Sequence, residues 1–322
     1  MFQRISISNF KSIRELEFTP RRVNVFIGEP STGKTNIIEA LTVFSEGVYE
    51  DRQSFRDLLR FKTPSELFYD RDVSQPAKVE ADGVEWSLKL EAPQFTGMYL
   101  GPPGKDGVRF TLAPDGQLSC GTQPVARTRL YQFRTLAHYS DPRLDGLLPP
   151  FGANLAILLE TNKPLYRLVD NLFQERGFRL VIQSETNELV LVKEREGRLL
   201  LFSYGTGSET FRRIVFYMAV LETNHDAVLL LDEPETNTFP FYTTYLAERI
   251  ALDESNQFFL TTHNPYILGS IVGKTPVKEL AVFVTTMEGF RTVLKPVSED
   301  RLPLLLDYGP DAFVNLEKLV EA

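Results

Sequence analysis

The stretch VNVFIGEPSTGKTNIIEAL, Val23 to Leu41, decides the fold. An apolar run reaches Gly28, a polar segment bounded by glycines carries Lys34 and Thr35, and an apolar segment at helical spacing follows at once. The loop residues Gly28, Glu29, Pro30, Ser31, Thr32, Gly33, Lys34 and Thr35 fit G-x-x-x-x-G-K-[ST] at every fixed position. The chemistry explains the spacing. Backbone N–H groups of such a loop turn inward to phosphate oxygens, and a side chain at Gly33 would obstruct that approach. The following helix presents its positive end to the same anion. Lys34 brings a charge toward the β- and γ-phosphates, and the Thr35 hydroxyl can ligate Mg²⁺. A chance glycine turn would lack the strand before and the helix after. The loop alone specifies nucleotide binding and no reaction, since kinases, GTPases and motor ATPases share it.

The bulk composition narrows the setting. With 43% apolar and 24% charged residues, a chain of 322 residues reads as a globular protein with a large core. No apolar run nears the ~20 residues needed to cross a bilayer, and the charged, alternating opening MFQRISISNFKSIRE does not read as a signal peptide. One cysteine, Cys120, forms no internal disulfide, which fits a cytoplasmic setting and excludes a Cys-based zinc site within one chain. A net charge of −8 gives no global basic field for nucleic acid.

Strands are expected at RISISNF and RVNVFIG, and a helix over 36–47, where Ile37, Ile38, Leu41 and Phe44 recur at helical spacing. Residues 76–135 hold short β-like pieces with turn signals Asp82-Gly83 and Asp115-Gly116, which predicts an antiparallel layer. A Pro/Gly-rich break near 141–152 precedes a helical segment closed by Gly177. Two strand-like runs follow, FRLVIQS and ELVLVKE, then a helix over 209–223 with Ser208 as its N-cap. AVLLLDEP and QFFLTTHNP are apolar runs ending in polar residues, as buried parallel strands do.

Three further pieces carry chemistry. The strand AVLLLDEPET ends in adjacent carboxylates: Asp232 suits a Mg²⁺ shell, and Glu233 is placed to deprotonate a water attacking a γ-phosphate. About thirty residues on, QFFLTTHNPYIL ends in His263, which can hydrogen-bond the γ-phosphate or that water; His138 and His225 read as structural. Before both, FSYGTGSETFRR forms a second glycine-rich helix start.

In this order, with about two hundred residues between Lys34 and Asp232, the pieces resemble the ABC-type heads of the SMC, Rad50 and RecF group. The closest likeness is to the AAA-type ATPases of the overcoming-lysogenization-defect (OLD) kind. ISISNFKSIRELEF resembles that group's opening, LLLDEPET its Walker B and TTHNPYIL its His switch. The resemblance implies an α/β P-loop head with a mixed sheet, an antiparallel β layer and a helical insertion. It implies a single head over 1–322, with an N-terminal lobe at 1–140, an insertion at 141–180 and a C-terminal lobe at 181–322. It further implies ATP and Mg²⁺ as ligands, and head-to-head dimers in which Gly205, Gly207 and Ser208 reach the partner's γ-phosphate. Asn36 and Lys11 become candidate nucleotide contacts, and Gln53 the candidate Mg²⁺-sensing glutamine.

Departures from the group are visible. The signature loop lacks a Ser-Gly-Gly triplet, Thr238-Phe239-Pro240 stands for Leu-His-Pro, and Glu29-Pro30-Ser31 stands for Pro-Asn-Gly. There are no heptads for a Rad50-type coiled coil. About sixty residues follow His263, too few for the OLD nuclease domain, and Asp70-Arg71-Asp72 reads as a charged loop. Asn162-Lys163-Pro164-Leu165 lacks the aspartate of a guanine-specific motif, which favours ATP. Basic residues gather at Arg4, Lys11, Arg14, Arg21 and Arg22 and at Arg127, Arg129 and Arg134, a local face for DNA only if they share one side. The expectation is an ATP-hydrolysing head that switches a partner protein or nucleic acid. The alternatives are an ATP-gated binding module with little turnover, or a P-loop phosphotransferase.

Overall fold

A computed structural model describes residues 1–46, 48–49, 52–101, 107–120, 128–139, 141–144 and 146–320, without the side chains of 52–54. The chain opens on a hairpin, β1 (Ile5–Phe10) and β2 (Ile13–Phe18), then β3 (Val23–Gly28), the phosphate-loop candidate and α1 (Lys34–Thr42). After α2 (Arg52–Leu58) come β4 (Ala77–Ala81), β5 (Val84–Glu91), β6 (Gln94–Leu100), β7 (Val108–Leu112), β8 (Leu118–Cys120) and β9 (Thr128–Tyr131). Helices α3 (Leu155–Thr161) and α4 (Lys163–Gln174) lead to β10 (Arg179–Gln183), β11 (Glu188–Arg195) and β12 (Arg198–Ser203). The remainder is α5 (Glu209–Thr223), β13 (Val228–Asp232), α6 (Pro240–Leu252), β14 (Gln257–Thr261), α7 (Pro265–Lys274), β15 (Leu280–Glu288), β16 (Arg291–Pro296) and α8 (Leu302–Tyr308).

The described strands form three sheets. The central one runs β16-β15-β3-β14-β13-β9, parallel throughout except for the edge strand β16. An antiparallel sheet of order β2-β1-β4-β5-β6-β7-β8 covers one side, and β10-β11-β12 form a small antiparallel sheet. Period-two alternation divides the central strands between two cores. Val23, Val25, Ile27, Leu229 and Leu231 join the helices, whereas Phe26, Val228, Leu230 and Phe259 join α1 and the antiparallel sheet. Buried on both faces, these strands read as continuous apolar runs.

The turn chemistry follows the residues. Asp82 and Gly83 both take positive φ, 47° and 80°, as a two-residue hairpin between β4 and β5 requires. Gly177 at φ 75° closes α4, with its N–H on the Gln174 carbonyl and the Phe178 N–H on the Phe173 carbonyl.

Several expectations need correction. The helix over 36–47 ends at Thr42; Phe44 remains buried because the following turns run over the same core. The antiparallel run over 76–135 ends at Cys120, and Thr128–Tyr131 instead pairs parallel with β13 in the central sheet. The segment after Pro150 is two helices, because Pro164 has no N–H to donate and Asn162 caps a fresh start through the Leu165 N–H at 3.0 Å. The sequence does not anticipate four strands, β2, β12, β15 and β16. Among the described residues no helix is long and apolar enough to cross a membrane.

Phe26 is fully buried, stacked on Phe283 at 5.5 Å and edge-on to Phe18 at 5.8 Å, so it joins the central sheet to the β1–β2 hairpin. Phe26→Ala is expected to cost about 3–5 kcal/mol in urea unfolding. Leu199→Ala, on the 65% exposed side chain of β12, should stay within about 0.5 kcal/mol.

Candidate nucleotide site

β3 delivers the chain to its carboxyl end, where the loop must turn sharply into α1. Gly33 adopts φ 94° as the N-cap of α1, and a Cβ there would lie 2.0 Å from Thr292 Oγ1 and 2.8 Å from Ser12 Oγ. A Cβ on Gly28 would meet the Thr285 carbonyl at 2.4 Å. Both glycines are therefore required by close approach as well as by backbone angle. Ser31 occupies the left-handed region at φ 64°, a strained setting for a residue with a Cβ.

The loop is braced from three sides. Thr32 Oγ1 donates to the Glu29 carbonyl at 2.9 Å and shares a hydrogen bond with Thr285 Oγ1 at 2.7 Å. Thr292 Oγ1 donates to the Thr32 carbonyl at 3.0 Å and bonds Ser12 Oγ at 2.7 Å. Asn36 Nδ2 donates to the same Ser12 Oγ at 2.6 Å, so this candidate nucleotide contact ties α1 to the β1–β2 turn. Lys11 likewise turns away from the loop, onto Glu39 at 2.5 Å and the Leu59 carbonyl at 2.5 Å. Arg60 also bonds Glu39. A cavity of about 950 Å³ opens beside the loop, lined by Ser31, Thr286, Glu288, Lys295 and Lys318.

The strand ends bring the distant carboxylates to this loop. Thr35 Oγ1 donates to Asp232 Oδ1 at 3.2 Å, and Thr261 Oγ1 donates to the same oxygen at 2.5 Å. Thr261 Oγ1 also accepts the Glu233 N–H at 3.1 Å. Glu233 Oε1 lies 3.1 Å from His263 Nε2, and its other oxygen accepts from Thr236 Oγ1 at 3.4 Å. Lys34 is buried and donates to the Gly28 and Glu29 carbonyls at 2.9 and 2.7 Å.

The charges of Lys34, Asp232, Glu233 and His263 act on one another. Burial lowers the Lys34 pKa, against the pull of Glu233 and Asp232. Burial raises the Asp232 pKa, opposed by the Thr261 hydrogen bond and by the Arg60 charge. Burial and then Lys34 lower the His263 pKa, with Glu233 and Asp232 opposing, which favours the neutral imidazole. Glu235, two residues beyond Glu233, is pushed by burial up to about 7.

Two hard oxygens, Thr35 Oγ1 and an Asp232 carboxylate, stand side by side at the loop. This donor set fits Mg²⁺, which takes one or two protein oxygens and completes its shell with phosphate and water.

The glycine-rich helix start sits elsewhere on this edge. Thr210 Oγ1 donates to the Asn237 carbonyl at 3.0 Å, and Glu209 accepts from Asn237 Nδ2 at 3.2 Å, which ties the start of α5 to the turn after Glu233. Ser208 holds the N-cap position, yet its hydroxyl makes no capping hydrogen bond, contrary to expectation. Gly205 and Ser208 are exposed. A Cβ on Gly205 or Gly207 would meet Ser203, Thr135, Leu191 or Tyr204 and nothing of the phosphate-loop candidate.

Sequence reasoning missed Thr261, Thr262, Glu235 and Arg60; only Glu235, so near a Walker B pair, carried a signal. The Gln53 side chain and Arg127 lie outside the described residues. His138 and His225, read as structural, are exposed, and His138 Nδ1 is 3.3 Å from Glu188. Most of the basic residues are engaged locally: Arg4 with Glu17, Arg21 with Glu299, Arg22 with Glu279, Arg129 with Glu46, and Arg134 over the Phe151 ring.

Comparison with known proteins bears on the fold. Residues 131–269 match the family described as "AAA domain, putative AbiEii toxin, Type IV TA system". No curated protein matches the chain. Among solved structures, an SMC head bound to the C-terminal winged-helix domain of ScpA superposes with TM-score 0.55 at 12% identity, covering 93% of this chain and 99% of that one. The SMC head domain from Thermotoga maritima gives TM-score 0.43 at 14% identity, covering 92% and 99%. An SMC head from Pyrococcus furiosus, with an extended coiled coil and bound to the C-terminal domain of ScpA, gives 0.49 at 12%, covering 95% and 98%. On the first of these, the fold is similar to that of an SMC head domain; the likeness to OLD ATPases rests on the sequence motifs alone.

The raised pKa of Glu235 has a consequence for stability. The unfolded carboxyl ionises near 4.5 and the folded one near 7, so the folded chain holds the extra proton between them and stability falls as pH rises through that window. Glu235→Gln should remove this loss, so that variant and wild type diverge between pH 5 and 7 by on the order of 1–3 kcal/mol in denaturant titrations.

Proposed function

We propose that the protein is a Mg²⁺-dependent ATPase head whose two copies pair around ATP and so switch a partner protein or nucleic acid. One observation carries this reading: Lys34 and Thr35 from one end of the chain meet Asp232, Glu233 and His263 from the other, with Thr35 Oγ1 on Asp232 and His263 on Glu233. The loop's N–H groups and Lys34 grip the triphosphate, which displaces the Lys34 amino group from the two loop carbonyls. Thr35 and Asp232 would hold the ion, which supplies charge stabilisation to the phosphate oxygens when bound. Glu233 takes the proton of the attacking water. The neutral imidazole of His263 donates through Nε2 to Glu233 or to the γ-phosphate, and holds the base in line.

Gly205, Gly207 and Ser208 then serve the other copy. The helix they precede is tied to the Walker B turn through Asn237, and they lie away from their own loop, so a γ-phosphate on a facing copy is the anion they suit. Dimer closure on ATP and opening after hydrolysis make a ligand-biased two-state change. The SMC head that superposes on this chain with TM-score 0.55 was seen with a ScpA domain, which supports a protein partner here. Work in DNA maintenance or defence against phage follows the families this chain is similar to, in the cytoplasm.

The loop Gly205-Thr206-Gly207-Ser208, without a Ser-Gly-Gly triplet, favours a second reading, in which ATP gates binding with little turnover. A phosphotransferase ranks last, because a base and an imidazole flank the loop.

Glu233→Gln is expected to leave ATP affinity intact, lower turnover by about 10²–10⁴-fold, and hold the chain as a dimer with ATP in sedimentation. Normal turnover in this variant would refute the base assignment. Slow turnover in the wild type with tight ATP binding would select the second reading. Lys34→Ala should lose ATP binding altogether, as read by calorimetry.

A further inference from the structure

One carboxyl beside the site is left unused by the hydrolytic chemistry. Glu235 is 5% exposed and stands in the turn that follows Glu233. Its Oε1 accepts from the hydroxyl of Thr262, which is fully buried and in turn accepts the Asn264 N–H at 2.9 Å. The Thr262 N–H donates to the Phe26 carbonyl at 3.2 Å. The residues on either side of His263 are thus tied, through the Thr262 hydroxyl, to one side chain on the loop that carries Glu233. Residues 262–264 lie between β14 and α7 with no ladder of their own to hold them.

This arrangement is costly for packing alone. Glu235 Oε2 is buried without a hydrogen-bond partner, and an apolar side chain of similar size would fill the space without that penalty. What the carboxyl provides is direction. His263 and Glu233 are each 40% exposed, so little packing restrains either tip, and their 3.1 Å contact depends on where the two backbones stand. Thr261 fixes the Asp232–Glu233 backbone from β14, and Glu235 fixes the His263 backbone from the β13 side.

We propose that Glu235 is a positioning residue for His263: through the Thr262 hydroxyl it fixes the residues that flank His263, holds the imidazole against Glu233 and locks the ends of β13 and β14 together. The proposal rests on the hydrolytic reading for its effect on rate, but the clamp itself can be observed without turnover. The chain has only three histidines, so the His263 imidazole is assignable by NMR, with His138 and His225 as internal controls.

The experiment compares Glu235→Ala, Glu235→Gln and Thr262→Val in the full chain, reading imidazole signals and ATP turnover. Glu235→Ala and Thr262→Val should each shift the His263 signals while those of His138 and His225 stay in place. Both should lower kcat by about 10–100-fold with KM for ATP within about twofold. The double variant should be no worse than either single one, since both break the same linkage. Glu235→Gln keeps an acceptor at Oε1 and should recover most of kcat and the His263 signals. If Glu235→Ala does not fold, Thr262→Val makes the test, because it is isosteric. An unmoved His263 signal, a loss confined to KM, or a Gln variant no better than Ala would overturn the proposal. A wild type that hydrolyses no ATP would refute the hydrolytic reading while the imidazole shifts still judge the clamp.

Discussion

The carboxylate of Asp232 is the point on which the site turns. One of its oxygens accepts from Thr35, at the start of α1, and from Thr261, at the end of β14. The same Thr261 hydroxyl receives the Glu233 N–H. A single half-buried carboxylate therefore sets the relative position of three elements that the sequence separates. It is an expensive group to bury, and its charge is offset by hydroxyl donors and by the nearby Arg60. On the proposed reading, the oxygens collected here would hold a cation, and the loop beside them would offer N–H groups to the anion that brings it.

The parallel sheet makes this arrangement possible. β3, β13 and β14 are hydrogen-bonded neighbours that all end at one edge. Their apolar bodies are shared between two cores, and the polar residues appear only where each strand leaves the core. Ligand sites at the carboxyl ends of parallel strands follow from that geometry. β15, β16 and the β1–β2 turn close the far side through Thr285, Thr292 and Ser12, so the loop's shape is held by elements from both ends of the chain.

Much of this is legible in the sequence. Buried parallel strands announce themselves as unbroken apolar runs, and those at Val23, Val228 and Gln257 end in the residues that meet. Gly33 was required by chemistry and proves to be required by sterics as well. What escaped notice did so for physical reasons. β2 reads IRELEF, with Glu15 and Glu17 facing out, and its polar half hid the strand. β9 is four residues long and owes its place to a parallel partner about a hundred residues away. β12 is exposed along its whole length, so it lacked the alternation that marks a half-buried strand. Thr261, Thr262 and Arg60 are ordinary in sequence, and only proximity gives them a role. The basic clusters looked like a surface for DNA in one dimension; folded, most of them are engaged locally, chiefly with acids.

The most direct test of the central claim uses Mn²⁺ in place of Mg²⁺ with ATP, and follows the imidazole signals of the three histidines by paramagnetic broadening. A metal held at Thr35 and Asp232 should broaden His263 strongly and leave His138 and His225 sharp, and Lys34→Ala should abolish the effect. Bound Mn²⁺–ATP that leaves His263 sharp would contradict the account, for the triphosphate would then lie away from the ends of β13 and β14.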